Sequence, residues 1–184
     1  MKYLLALSTI LSLSFTPLAA EEEAEQIEAE ELELVVSYAN SLFSEDCSQF
    51  KDAFSYVQFN NKYQIGDHLI YEILCRAAAY NGFSRWFKQS SDGSFTPVYF
   101  PMPNLEKNSS GQFIIAGFKD ENELVNPEFN YETQTVISVN NWTGSGEASE
   151  RTEWEFQDGS FVFSKYLMDE TYDGKVNPIL VEEE

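Results

Sequence analysis

Apolar and polar residues keep two different rhythms along this chain. In the first stretch, Ile27, Leu34, Val35, Tyr38 and Leu42 fall near one face of a helix, which the spacing predicts over about residues 25–43. Its glutamate-rich start suits the positive end of a helix dipole. Its apolar stripe is expected to pack on the rest of the fold, with Cys47 just past its end. Beyond Gly66 the texture becomes that of strands. His68-Leu69-Ile70-Tyr71-Glu72-Ile73-Leu74-Cys75 is apolar on both faces in its middle and predicts a central strand. Asn81-Gly82 predicts a hairpin turn into a return strand from Phe83 to Lys88. Ser91-Asp92-Gly93 predicts a second turn, followed by a strand from Phe95 to Phe100 that Pro101-Met102-Pro103 should end.

Further strands are predicted from Gln112 to Phe118, from Thr133 to Val139, from Arg151 to Phe156 and from Phe161 to Leu167, with Ile179-Leu180-Val181 as a short last one. In the third of these, Trp154 and Phe156 face one way and Glu153 and Glu155 the other. Lys119 to Asn126 and Asn140 to Ser149 read as loops, and Asp158-Gly159 as a turn. The expected fold is mainly β (α+β): an antiparallel meander of about seven or eight strands forming a half-barrel or sandwich, with one N-terminal helix packed on it.

The first twenty residues change the picture of where this fold works. Lys2, an apolar run from Tyr3 to Phe15, then Pro17 and Leu18-Ala19-Ala20 describe a secretory signal peptide cut after Ala20. The run is shorter than the roughly 20 apolar residues a membrane span needs. The chain then divides into a signal peptide (1–20), an acidic segment with the helix (21–46) and an antiparallel β domain (47–184). The expected location is the periplasm or beyond. There, a chain with two cysteines is expected to join Cys47 to Cys75.

Charge narrows the partners. The whole chain carries −20 and the part after Ala20 carries −21, which repels nucleic acid and anionic membrane surfaces and suits a basic protein.

From Cys75-Arg76-Ala77-Ala78-Ala79-Tyr80-Asn81 onward the chain resembles the bacterial proteins of domain of unknown function 1176. These are exported envelope proteins whose C-terminal half holds a strand ending in Cys, a small-residue step, Ala-Tyr-Asn and a tryptophan strand, here Arg85-Trp86-Phe87. The family pattern continues with a strand into a Gly-rich loop, a Trp strand, Asp-Gly and a Phe strand. Here these correspond to Thr135 to Phe163, with Gly144, Gly146, Trp154, Asp158-Gly159 and Phe161. The likeness spans roughly residues 66–167. The family tends to place a cysteine in the Gly-rich loop, where this chain has none. The family has no assigned activity, so the resemblance implies compartment and fold and carries over no functional residue.

No residue pattern marks catalysis. His68 is the sole histidine, and Asp67 beside it would point to the opposite face of a strand. There is no Gly-x-Ser-x-Gly elbow, and one histidine with two paired cysteines makes no zinc site. Asp169-Glu170-Thr171-Tyr172-Asp173-Gly174 is only a fragment of a calcium loop and reads as a polar turn. No cofactor, metal or catalytic residue is therefore assigned.

Aromatic residues make up 15% of the chain. Trp142 in the Gly-rich loop, and Tyr80 with Asn81 after the main strand, are the candidate ligand contacts. The function these signs support is a non-catalytic envelope protein that binds a protein or a glycan. A basic hydrolase of the lysozyme type would suit the charge, although the Ser-Gly-x-x-Tyr signature of small lysozyme inhibitors is absent. The alternatives are an envelope structural or assembly factor docking through the helix, and a hydrolase using two carboxylates.

Overall fold

A computed structural model describes residues 25–43, 47–50 and 59–182; the expected signal peptide lies outside them. The protein is an antiparallel β structure, as expected, with more strands than the turn signals alone imply. The first sheet runs in the order β1 (Glu25–Gln26), β2 (Asn61–Ile65), β3 (His68–Ala77), β4 (Gly82–Gln89) and β5 (Phe95–Pro97). A two-stranded arm follows, β6 (Phe100–Lys107) with β7 (Phe113–Glu121), and then β8 (Glu123–Val125), which returns to pair with β4. The second sheet is built from β9 (Pro127–Asn130), β10 (Thr135–Asn141), β11 (Ser149–Gln157), β12 (Ser160–Asp169) and β13 (Ile179–Leu180).

The helix, α1, covers Ala29–Leu42. It is shorter than the expected 25–43 because Glu25 and Gln26 pair with Lys62 and Asn61 as strand. It buries Leu32, Val35, Val36 and Ala39, spaced one turn apart, whereas Leu34 is 63% exposed and Leu42 is exposed too. Val35 is shared with the expected stripe, and Ile27 and Tyr38 pack at its edge, but Leu32, Val36 and Ala39 are buried in place of Leu34 and Leu42, so the buried face is rotated relative to the simplest reading of the sequence. Its buried face meets Tyr71, Ile73, Cys75 and Phe87 on one side of the first sheet.

The opposite side of that sheet carries Tyr63, Ile65, Ile70 and Trp86, which pack against Val136, Trp154 and Phe161 of the second sheet. Strand alternation explains the division: successive residues of β3 and β4 serve different layers, so each strand carries apolar residues on both faces. The order is helix, first sheet, second sheet. On β10 the inward positions are Val136 and Ser138, while Thr135, Ile137 and Val139 are only half-buried.

The disulfide Cys47–Cys75 is formed. It fastens the 3-10 turn after the helix (Cys47–Phe50) to the buried end of β3.

Four local expectations are corrected. Pro101 and Pro103 do not end a strand; they lie inside β6. Residues two apart turn the same edge outward, and among the described residues β6 pairs only with β7, so both prolines direct their missing donors to the other side. The Pro101 carbonyl on that side accepts the Trp154 Nε1–H at 2.9 Å. Residues 119–126 are not a loop but the end of β7 and all of β8. Asn122 between them is buried and donates through Nδ2 to the carbonyls of Trp86 (2.8 Å) and Val98 (2.7 Å), bridging the gap between β8 and β5 along β4. The β3–β4 reversal is centred on Ala78–Asn81, closed by Ala78 N–H to the Asn81 carbonyl at 2.7 Å. Asn81 and Gly82 both lack the positive φ of a two-residue hairpin. Finally, β1, β2, β8 and β9 were not foreseen. No helix among the described residues is long and apolar enough to cross a membrane.

Candidate functional site

The chain passes from the first sheet to the second at one residue. Asn126 joins β8 to β9 with φ of 42°, a left-handed conformation that asparagine tolerates better than most residues. Its side chain is the centre of a hydrogen-bonded joint. Oδ1 accepts Gly82 N–H at 2.7 Å, and Nδ2 donates to the Val139 carbonyl at 2.9 Å and to Asn81 Oδ1 at 2.8 Å. Asn81 in turn donates through Nδ2 to Asn140 Oδ1 (3.1 Å) and the Asn141 carbonyl (3.0 Å), and its Oδ1 accepts Asn141 N–H at 3.1 Å. Both donors and both acceptor positions of Asn81 are used inside the protein. Asn81 therefore holds the two sheets together at this end and positions its neighbour Tyr80.

A cleft of about 510 Å³ opens beside this joint. Its walls are the Ala77–Gly82 turn, Phe59, Leu74 and the corner residues Asn126, Pro127 and Glu128; Glu72 and Ser84 also line it. Glu72 is the unusual member. It lies in the middle of β3 and is only 3% exposed. Its Oε2 accepts Tyr63 O–H at 2.5 Å and Asn61 Nδ2–H at 3.0 Å, and Ser84 adds a third donor. All of these donors are neutral. Burial pushes the Glu72 carboxyl up from 4.5 to about 6, against the pull of those three hydrogen bonds. Burial, aided by the Glu72 carboxylate, pushes the Tyr63 phenol up in the same way. Behind the cleft, the β3 ladder is interrupted near Leu74, whose N–H donates to the Asn60 side-chain carbonyl at 2.9 Å.

The sequence candidates converge here in part. Tyr80 stands at the cleft wall, 58% exposed. Its ring lies against Gly144 of the Gly-rich loop so closely that a Cβ at that position would come within 2.7 Å of it. Trp142 begins the same loop, pinned by its N–H to the Ala148 carbonyl at 2.9 Å, and is 38% exposed. It follows Asn141, which Asn81 holds. Tyr80 and Trp142 thus flank one joint, although only Tyr80 lines the cleft.

His68 lies elsewhere, edge-on to Phe156 and against the Asp158-Gly159 turn. In the 169–177 segment the Asp169 carboxylate accepts Thr171 O–H (2.6 Å), Thr171 N–H (3.0 Å) and Asn177 N–H (2.5 Å). The Thr171 hydroxyl and these amides hold it below the usual carboxylate range, and the segment is a self-contained polar turn. Among the described residues no three His, Cys, Asp or Glu side chains converge as a metal cage.

Glu72 was missed in reading the sequence, though a signal was there. A carboxylate between Tyr71 and Ile73, in a strand apolar on both faces, has nowhere to go but inward, and acids buried that way gather at binding and catalytic sites. Its burial carries a testable consequence for stability. The folded protein favours the neutral acid, so it keeps the Glu72 proton to higher pH than the unfolded chain, where the group titrates near 4.5. The contribution is intact below that value and is lost as pH rises towards about 6, by roughly 2 kcal/mol. Urea unfolding of the wild type and Glu72→Gln across this range should show the variant gaining that amount relative to the wild type. A constant difference between the two would refute the assignment.

Fold and site together define a helix-backed, two-sheet antiparallel β domain with a cleft at the corner between its sheets and a buried carboxylate in that cleft. The family model described as Protein of unknown function (DUF1176) matches residues 13–177, nearly the whole chain, and the protein belongs to that family. The match extends well beyond the 66–167 stretch. No curated protein and no solved structure matches the chain.

Proposed function

We propose that this is an exported, non-catalytic binding protein of the bacterial envelope, which holds a partner in the cleft between the Ala77–Gly82 turn and the Asn126 corner. One observation carries this reading: the cleft is largely apolar, is braced by the rigid asparagine joint and has an exposed aromatic ring, Tyr80, at its wall. Export is supported by the pattern of residues 1–20 and by the Cys47–Cys75 bond, which suits an oxidising compartment. The expected partners are a basic protein or a glycan.

The test uses two defined probes, an arginine-rich peptide and a chitin trisaccharide, each followed by amide chemical shifts. At least one should perturb residues 77–82 and 126–128, and Ala78→Trp, which fills the cleft from an exposed turn position, should weaken that binding about ten-fold or more. Binding of neither probe, or binding indifferent to Ala78→Trp, would overturn the reading. A second reading, a hydrolase, is favoured by the raised Glu72 with Glu128 on the same cleft. Turnover of the trisaccharide that disappears in Glu72→Gln would establish it in place of the first.

A further inference from the structure

We propose that the cleft takes a cationic side chain, a lysine ammonium or arginine guanidinium on an extended segment of a basic protein, with Glu72 as its counter-ion. This rests on the cleft being the binding site.

The starting point is an imbalance. Glu72 is buried, yet no cation faces it among the described residues. Its donors are a phenol, an amide and a hydroxyl. The basic groups of the surrounding strands are committed elsewhere. Lys62 reaches across the helix side of the sheet to Glu25 and Glu31. Arg85 lies over the Phe43 ring on that same side and pairs with Glu123. Arg76 sits over Phe83 and also pairs with Glu123, at 2.8 Å. None of the three lines the cleft; among the described residues its charged lining is Glu72 and Glu128, both acidic. A buried carboxylate held only by neutral dipoles keeps most of the cost of leaving water, and an incoming cation removes part of that cost.

The shape suits such a guest. Leu74, Phe59 and the three alanines of the turn offer apolar contact to the methylenes of a lysine or arginine stem. Tyr80 presents a ring beside the path of the charged head. Glu128 is exposed and adds a second negative charge to the wall. The chain as a whole carries −20, which draws basic partners in from a distance.

A neutral glycan would use the same walls but would leave Glu72 without a counter-ion. The titratable groups around Glu72 are Tyr63 on β2 and Glu128 across the cleft lining; the remaining neighbours, Asn61 and Ser84, do not titrate.

The experiment is isothermal titration at about 150 mM salt, where contacts between distant exposed charges are screened. Three ligands are compared: a nonapeptide alternating arginine and serine, the same peptide with citrulline for arginine, and the chitin trisaccharide. For the arginine peptide, Glu72→Gln is expected to weaken binding about ten-fold or more, because one partner of a buried charge pair is lost. Glu106→Gln, which removes one exposed charge from the β6–β7 arm, should change it less than about two-fold. Citrulline should weaken binding to the wild type at least as much as Glu72→Gln does, because it removes every positive side chain of the peptide. Lowering the pH from about 7.5 to about 5 should weaken the wild type and leave Glu72→Gln unchanged, since only the wild type has that proton to gain.

Arginine-peptide binding indifferent to Glu72→Gln would overturn the proposal. Trisaccharide binding blocked by Ala78→Trp but equal in wild type and Glu72→Gln would overturn it too, while leaving the cleft as a binding site. Should Glu72→Gln fail to fold, the citrulline peptide and the pH series on the wild type decide the matter.

Discussion

Replacing Trp154 with alanine is expected to lower stability by about 3–5 kcal/mol, and replacing Trp86 with alanine by a similar amount. Both rings are fully buried in the layer between the sheets. Trp86 stacks on Tyr63 with centroids 5.2 Å apart and meets Phe100 and Phe161 edge-on. Trp154 meets Phe100 at 5.2 Å. Alanine at either site removes a large apolar area and opens a cavity that these rigid neighbours cannot collapse to fill.

Phenylalanine separates the two sites. Trp154 Nε1–H donates to the Pro101 carbonyl, so Trp154→Phe leaves a half-buried acceptor without its donor and removes the bond. Trp86 Nε1–H has no partner among the described residues, so Trp86→Phe removes a buried donor that was already unsatisfied. Chemical denaturation should show Trp154→Phe to be the more destabilising by about 1–2 kcal/mol. The reverse order would mean that ring packing, not the indole hydrogen bond, distinguishes the two tryptophans.

Breaking the Cys47–Cys75 bond should cost roughly 3–4 kcal/mol, the chain-entropy value for a loop whose ends are 28 residues apart. Both sulfurs are buried against the helix layer, with Val35, Val36 and Ala39 in the same cluster. The bond therefore joins the turn after the helix to the strand that also carries Glu72. The double variant Cys47→Ser with Cys75→Ser should melt on the order of 10 °C lower, as should the wild type under full reduction. Equal melting temperatures with and without reductant would show the bond to be redundant. Because Ala77, the start of the cleft turn, follows Cys75 by two residues, the reduced protein is also expected to bind cleft ligands less tightly.

Much of the fold was legible because it depends on local rules. The central strand announced itself through His68 to Cys75, the Asp158-Gly159 turn through two residues that do take positive φ, and the Trp154 strand through its alternation. What escaped depends on distant partners. Pro101 and Pro103 stop strands in general, and only the one-sided pairing of β6 makes them harmless. The polar 119–126 stretch became strand because Asn122 satisfies two carbonyls that no sequence rule assigns to it. The helix face was misjudged because Leu34 and Leu42 fit the period as well as Leu32 and Val36 do, and only the position of the sheet chooses between them. At the site, Tyr80 and Trp142 were found as exposed aromatics, whereas Glu72 was hidden inside an apolar run, and Asn126 gains its role only from three segments meeting around it.

The joint also governs how this protein ages. In an Asn-Gly pair the glycine nitrogen readily attacks the preceding side-chain amide and expels ammonia to close a succinimide ring, which water then opens to leave a carboxylate. Here Gly82 N–H is engaged by Asn126, and the Asn81 amide is gripped at every hydrogen-bonding position, so neither reactant is free to approach the other. Deamidation at this pair is thereby restricted to molecules that have opened, and a negative charge gained at position 81 becomes a permanent record that the two sheets once came apart.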